Sequence, residues 1–122
     1  MARQEMQSIV TANLTHTKAT LVFSDGYPPM APTEENKKLL SMYNIISLEL
    51  GFGEVVAVDP RRAGAADISF TAEHVDMAMD GLGLMGEGGH TDEEIADMNT
   101  FTQQMKRSAL LIYRLSSLDE YR

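Results

Sequence analysis

The feature that most constrains the fold is a well-bounded helical segment followed by a short, continuously apolar run. Thr33 is a good N-cap, Glu34 and Glu35 suit the positive end of a helix, and Gly51 supplies a stop. Between these bounds, apolar residues recur at helical spacing: Leu39, Tyr43, Ile46 and Leu50, with Met42 and Ile45 widening the stripe. The run VVAV at 55–58 does not alternate, which predicts a strand covered on both faces. A helix that leads into a buried strand predicts α/β layering.

Two other helices are predicted at the ends of the sequence. Residues 2–13 form one, with a buried stripe built from Met6, Ile9, Val10 and Leu14. Residues 99–115 form the other, in which the apolar stripe consists of Phe101, Met105, Ala109 and Ile112. Both segments therefore predict amphipathic helices that bury their apolar side.

The connecting segments give weaker signals. TKATLVFSD at 17–25 alternates and predicts a half-exposed strand, and HVDMAMDGLGL at 74–84 predicts a strand that ends in glycines. RRAGAADISF at 61–70 predicts a loop that runs into a short helix. Three prolines interrupt DGYPPMAPT, and we expect residues 25–32 to be a crossover between structural units because proline disfavours helix in the residues before it.

Composition excludes several classes of function. A chain of 122 residues with 43% hydrophobic content can bury one modest core. Its net charge of −8 opposes binding to nucleic acid or to an anionic membrane, both of which call for basic patches. The absence of cysteine excludes disulfides, thiolate catalysis and cysteine-ligated zinc. No apolar run reaches the ~20 residues of a membrane span or resembles a secretory signal, so we expect a cytoplasmic protein.

The most unusual stretch is GLGLMGEGGHTDEE at 81–94, which places five glycines before one histidine. Such a cluster indicates a loop that bends sharply or lets another group approach the backbone. Gly81, Gly83 and Gly86 match the G-x-G-x-x-G fingerprint of dinucleotide binding, but that fingerprint requires a helix to open at the third glycine. The sequence supplies more glycine there, so this interpretation is disfavoured.

Three kinds of side chain are candidates for a site. His90 is a candidate metal ligand, because neutral imidazole is the commonest one and the glycines leave space for an ion; the alternative is an exposed histidine in a solvated loop. Asp67 could orient a ligand or simply cap a turn. Arg61 and Arg62 could clamp a carboxylate or remain solvated surface charges. His16 and His74 have no comparable setting, and we expect both on the surface.

Four segments together carry a family resemblance. DGYPPMAPT, RRAGAADISF, DGLGLMGEGGHTDEE and KRSALLIYRL, in this order and at this spacing, resemble the C-terminal part of bacterial glutamate carboxypeptidases. These belong to a family of zinc peptidases and amidohydrolases that includes aminoacylases and succinyl-diaminopimelate desuccinylases. The similarity covers nearly the whole chain but only the last third of such an enzyme.

The resemblance implies a fold and a division of the chain. In that family an α/β catalytic domain, with the fold shared by zinc peptidases and phosphorylases, is interrupted by an α+β domain that serves as lid and dimerisation surface. Residues 1–24 would be the last helix and strand of the lid domain. Residues 25–32 would be the crossover, and residues 33–122 the C-terminal half of the catalytic domain.

The resemblance also implies roles for individual residues. His90 matches the family's final zinc ligand, and Asp67 resembles a residue on the substrate side of the active site. Arg61 stands where relatives can carry an arginine. The glycines that resemble the loop facing the substrate's carboxylate are Gly86, Gly88 and Gly89. Tyr27 stands where some relatives place a substrate-binding arginine, which leaves glutamate-like specificity open.

The family's other metal ligands and its glutamate general base lie upstream of the matched segment, and a hydrolytic zinc site needs about three protein ligands. We therefore expect no catalytic residue in this chain, weak or absent zinc binding, and no hydrolysis of a peptide or N-acyl amino acid by this polypeptide alone. Uncovered strand edges and an apolar face predict a homo-oligomer or swapped dimer. The alternative is an independent, non-catalytic interaction protein that uses the same face.

Overall fold

Helix α2 is the central element of the core and packs against α3. The computed structural model describes residues 2–60, 62 and 64–117. The helices are α1 (Ala2–Thr11), α2 (Glu34–Glu49) and α3 (Phe101–Ser116), and the strands are β1 (Gly86–Glu87) and β2 (Ile95–Ala96). Short 3₁₀ turns span Asp67–Phe70, Ala72–His74 and Met98–Thr100.

The bounds of α2 confirm the sequence prediction and its causes. The Thr33 hydroxyl oxygen accepts a hydrogen bond from the Asn36 backbone N–H at 3.1 Å, as expected of an N-cap. Glu34 accepts a hydrogen bond from Lys37, and this bond and the lysine's charge lower the pKa of the Glu34 carboxyl. At the other end Gly51 has a φ of 73°, a left-handed conformation that favours glycine.

The core lies between α2 and α3. Leu39, Tyr43, Ile46 and Leu111 are buried together. Partly buried apolar side chains from both helices and from two loop segments surround them: Met42, Leu50, Val55, Met77, Met79, Leu82, Leu110 and Leu115. The Ala78 backbone N–H donates to the Asn36 side-chain oxygen at 2.7 Å, which holds the 77–79 segment across α2. Most of the predicted α2 stripe is therefore core, although Ile45 is exposed.

The packing side of α3 differs from the prediction. The helix forms at the predicted place, but its buried residues are Gln104, Arg107 and Leu111. The predicted apolar stripe of Phe101, Met105, Ala109 and Ile112 is exposed, so the expectation that this stripe is buried is wrong. The physical reason is that polar partners on α2 and in two loops take the inward face of α3 through hydrogen bonds.

Helix α1 also forms where it was predicted, ending at Thr11, but it buries no residue. Its apolar residues Met6 and Ile9 are exposed, which corrects the expectation of a buried stripe. The helix is tied to the following segment by an ion pair between Arg3 and Asp25 and by the Arg3 guanidinium over the Phe23 ring, 5.2 Å from its centroid. Contacts of this exposed kind contribute little to stability.

The strands predicted at 17–25, 55–58 and 74–84 are not formed. Residues 18–33 and 52–59 lack helix and strand, and 74–84 begins in a 3₁₀ turn and continues without a ladder. Val56 and Val58 are 69% and 66% exposed, so the expectation that they are covered on both faces is wrong for this chain by itself. A strand needs a neighbour for its backbone groups, and sequence pattern alone cannot supply one.

The sheet in the described part of the chain consists of β1 and β2 paired antiparallel, with Gly86 opposite Ala96 and Glu87 opposite Ile95. Together, the described residues form a small mixed structure of helices and one short hairpin. The α/β catalytic half-domain stays a prediction from the resemblance. Among the described residues, no helix has the length and apolar character needed to cross a membrane.

Candidate functional site

The glycine-rich stretch at 81–94, the glycine loop, closes on itself. The hairpin of β1 and β2 brings the two ends of residues 88–94 together. Within the loop, the Thr91 hydroxyl and backbone N–H both donate to the Gly88 carbonyl, at 2.6 and 3.0 Å. The Thr91 hydroxyl oxygen also accepts from the Glu93 backbone N–H at 3.2 Å. Thr91 therefore closes a tight turn around His90.

Two of the glycines are required by close backbone approaches. A Cβ on Gly86 would collide with the Ile95 carbonyl oxygen on the opposite strand. A Cβ on Gly88 would lie 2.8 Å from the Glu93 carbonyl oxygen, and the φ of Gly88 is 67°. Gly89 differs from both, since its Cβ would meet only the Glu94 carboxylate at 3.8 Å. The glycine cluster thus serves the shape of the loop at Gly86 and Gly88.

His90 lies near the tip of this loop, exposed and with a φ of 66°. A positive φ is uncommon outside glycine, although histidine is one of the residues enriched there. His16 has a φ of 64° in an ordinary exposed turn, so the conformation alone does not identify a site. What distinguishes His90 is the hydrogen-bonded glycine loop around it. His16 and His74 are exposed, as predicted.

A shallow depression of about 420 Å³ lies beside the hairpin. Its walls come from the two strands and the glycine loop: Leu84, Met85, Gly86, Glu87, Gly89, Glu94, Ile95 and Ala96. His90 is not among these residues, although two of the glycines assigned to substrate binding are. The depression is open to solvent, and two carboxylates contribute to it, which disfavours an anionic ligand unless a cation accompanies it.

Asp67 is not among the residues that surround His90 or line the depression beside the hairpin. Asp67 is exposed and opens the 3₁₀ turn Asp67–Phe70, which packs against the neighbouring turn Ala72–His74. Arg61 lies outside the described residues. The Tyr27 ring packs edge-to-face on Phe70 with 4.8 Å between centroids, so Tyr27 belongs to the Asp67 side of the molecule. The structure thus describes the glycine loop, which carries His90, and separately the 3₁₀ turn that begins at Asp67.

The donor set in the described part of the chain does not fit a zinc ion. No group of three or more histidine, aspartate or glutamate side chains there comes close enough together to hold a metal. A structural or catalytic zinc ion takes three or four protein ligands, and His90 would be one. The described residues fit the role of a single donor and no more.

The dinucleotide interpretation fails on local structure. Gly86, the third glycine of the fingerprint, begins strand β1 and not a helix. The N-terminus of a helix is what would hold a pyrophosphate, and this loop has none at that place.

Sequence reasoning missed the residues that fix the start of the glycine loop. Gln104 on α3 donates to the Gly83 carbonyl at 2.8 Å, and the Thr100 hydroxyl oxygen accepts from the Met85 backbone N–H at 3.0 Å. The Met85 carbonyl in turn accepts from the Asp97 backbone N–H at 2.7 Å. Gln104 lies beside the apolar stripe of α3, next to Phe101 on the helix surface, and nothing in the sequence distinguishes it from the other polar residues of the helix.

Comparison of the chain with protein-family models, with curated protein sequences and with solved structures found no match.

Proposed function

We propose that this chain is the C-terminal segment of a zinc-dependent carboxypeptidase or amidohydrolase that cleaves peptide or N-acyl amino acid amide bonds. In this proposal His90 supplies one zinc ligand, and the glycine loop, with Arg61 and Asp67, supplies part of the substrate pocket. The remaining ligands and the general base come from a second polypeptide portion, so the chain is inactive alone.

The observation that carries the proposal is the setting of His90. Its backbone is held in a left-handed conformation, its side chain is exposed, and the loop around it is closed by Thr91. An imidazole presented in this way is accessible to a metal that other groups hold from outside. The resemblance of four segments to the glutamate carboxypeptidases supports the same role independently.

The distribution of donors supports the incomplete character of the site. The described residues offer no three-ligand group, and a lone imidazole binds zinc weakly. The exposure of Val56 and Val58 is a second indication, because an apolar extended segment is normally covered. A partner polypeptide that supplied both neighbouring strands and metal ligands would cover Val56 and Val58 and complete the metal site.

Complementation tests the proposal. Two samples are compared: the isolated chain, and the chain co-expressed with the N-terminal two thirds of a bacterial glutamate carboxypeptidase. Each sample is titrated with zinc and assayed for hydrolysis of an acyl-glutamate. We expect weak zinc binding and no hydrolysis by the chain alone, and tight zinc and hydrolysis by the pair. His90→Ala should abolish both the tight zinc binding and the hydrolysis of the pair. His74→Ala, at an exposed histidine outside the loop, should retain both.

Two results would contradict the proposal. Tight stoichiometric zinc together with hydrolysis by the isolated chain would refute its incompleteness. Equal activity of the complemented wild type and His90→Ala would refute the role of His90.

A second candidate function is a non-catalytic interaction protein that associates with another copy of itself. The observation in its favour is the outer side of α3 and of the 3₁₀ turn before it, where large apolar side chains are exposed: Met98 in the turn, and Phe101, Met105, Ile112 and Tyr113 on the helix. Helix α3 contains no acidic residue, although the whole chain has a net charge of −8. Two copies that meet along α3 therefore avoid most of the repulsion between their acidic surfaces.

A further inference from the structure

A buried chain of hydrogen bonds connects the helical core to the start of the His90 loop. Gln104, only 8% exposed, donates from its side-chain nitrogen to the Gly83 carbonyl at 2.8 Å. Its side-chain oxygen accepts from the Arg107 guanidinium at 2.8 Å and from the Tyr43 hydroxyl at 3.3 Å. One amide thus links α2, α3 and the loop.

The direction of this amide is fixed by its neighbours. Arg107 has donors only, so it requires the oxygen of Gln104, and the Gly83 carbonyl requires a donor. Reversal of the amide would place donor against donor on one side and acceptor against acceptor on the other. Gln104 therefore has one orientation, and that orientation serves the loop.

Arg107 is itself held in place from three sides. Beyond Gln104, its guanidinium donates to the Ser47 hydroxyl oxygen and to the Phe52 carbonyl, each at 2.9 Å. The Ser47 hydroxyl donates onward to the Gly53 carbonyl at 2.5 Å. The oxygen of Gln104 is consequently linked through Arg107 to α2 and to the Phe52 carbonyl, and its nitrogen is the atom that reaches the loop.

We infer that Gln104 is a positioning residue that sets where the His90 loop leaves the core, by holding the Gly83 carbonyl. From Gly83 the chain runs through Met85, whose backbone N–H and carbonyl are both hydrogen-bonded, into β1 and the turn that carries His90. The importance of His90 in this inference rests on the proposed function, whereas the control of the loop by Gln104 does not.

Substitution by glutamate separates the two sides of the amide. Gln104→Glu keeps an oxygen for Arg107 and Tyr43, adds an attractive charge toward the guanidinium, and replaces the donor to the Gly83 carbonyl by an acceptor oxygen. Gln103→Glu introduces the same charge one position earlier on the same helix and is the matched control. Gln104→Leu removes the hydrogen bond to Gly83 as well as those from Arg107 and Tyr43, and it shows how much the whole network contributes to the free energy of unfolding.

Amide hydrogen exchange of the full chain, followed by NMR without zinc, gives the test. We expect exchange at Met85 and Asp97 to rise about tenfold in Gln104→Glu, the change that corresponds to one lost hydrogen bond, while Ile46 in the core is unchanged. The His90 imidazole resonances should shift in the same variant. Gln103→Glu should leave loop exchange and His90 unaffected.

Unchanged loop exchange in Gln104→Glu would overturn the inference, as would equal effects of Gln104→Glu and Gln103→Glu. If Gln104→Leu fails to fold, the glutamate variant still decides. Failure of the zinc complementation would refute the proposed function without changing the exchange result, and unchanged exchange would refute the positioning role without affecting complementation.

Discussion

At the scale of single residues, shape and chemistry are divided between neighbours in the glycine loop. Gly86 and Gly88 are required because other backbone atoms lie where their Cβ atoms would be. His90 occupies a left-handed conformation that costs roughly 1 kcal/mol outside glycine, so the surrounding turn must impose it. The loop therefore holds the backbone of His90 in a conformation that the unfolded chain would rarely adopt.

The glycine requirement can be tested at two adjacent positions, Gly88 and Gly89. We expect Gly88→Ala to lower the free energy of unfolding by about 1–2 kcal/mol, because it combines a left-handed φ with a close approach to Glu93. Gly89→Ala would make only an ordinary contact with the Glu94 carboxylate, at 3.8 Å, and is expected to change the free energy of unfolding by less than about 0.5 kcal/mol. Urea unfolding followed by circular dichroism measures both, and equal costs at the two positions would contradict this account.

The residue scale also explains why the burial of Arg107 on α3 was unexpected. Arg107 is buried against neutral oxygens of Ser47, Gln104 and Phe52, with its guanidinium 5.4 Å from the centroid of the Phe52 ring. Nothing in the helical pattern distinguishes it from Lys106, which is exposed. The five donors of a guanidinium suit this set of acceptors, whereas a lysine has a different geometry.

At the scale of elements, α2 and α3 differ in how far the sequence determined them. Helix α2 has a capping threonine, an acidic first turn and a terminal glycine, and it forms as predicted. For α3 the bounds were predicted within two residues, but the buried face was not. Helix formation depends on local spacing, whereas the side that becomes buried depends on the neighbour.

The cap of α2 gives a prediction at this scale. We expect Thr33→Ala to lower the free energy of unfolding by about 1 kcal/mol, since the Asn36 backbone N–H loses its acceptor. Ser41→Ala is the control, because the Ser41 hydroxyl only donates to the Lys37 carbonyl inside the helix at 2.9 Å. Thermal unfolding of the two variants compares them, and a larger effect of Ser41→Ala would show that the cap contributes little.

At the scale of the whole molecule, a small core coexists with extensive exposed apolar surface. Among the described residues five apolar side chains are buried, while the outer face of α3, Met6 and Ile9 of α1, and Val56 and Val58 are exposed. Exposed apolar patches of this kind mark surfaces that bind other proteins. Both candidate functions, completion by a second polypeptide and association with another copy, use such a surface.

Self-association is the prediction at this scale. If α3 is the contact between copies, sedimentation equilibrium should show a monomer–dimer equilibrium, and Ile112→Lys should weaken it at least about tenfold, because one buried isoleucine contributes about 1.5–3 kcal/mol. Ile45→Lys, at an exposed isoleucine on α2, is the matched control and should leave the equilibrium unchanged. The melting temperature should rise with protein concentration in the wild type.

A monomer at every concentration would exclude the second candidate function. Equal weakening by Ile45→Lys would place the contact elsewhere than on α3.

Features that depend on neighbours along the chain could be predicted from the sequence: the helices α1, α2 and α3, the end of α2 just before Gly51, the surface positions of His16 and His74, and a bent glycine loop around His90. These features follow from caps, spacing and backbone freedom, which act over a few residues. That 17–25 and 55–58 form no strand, and that α3 buries Gln104 and Arg107, became apparent from the folded chain. Those outcomes depend on which distant groups supply hydrogen-bond partners and cover, and no local pattern encodes them.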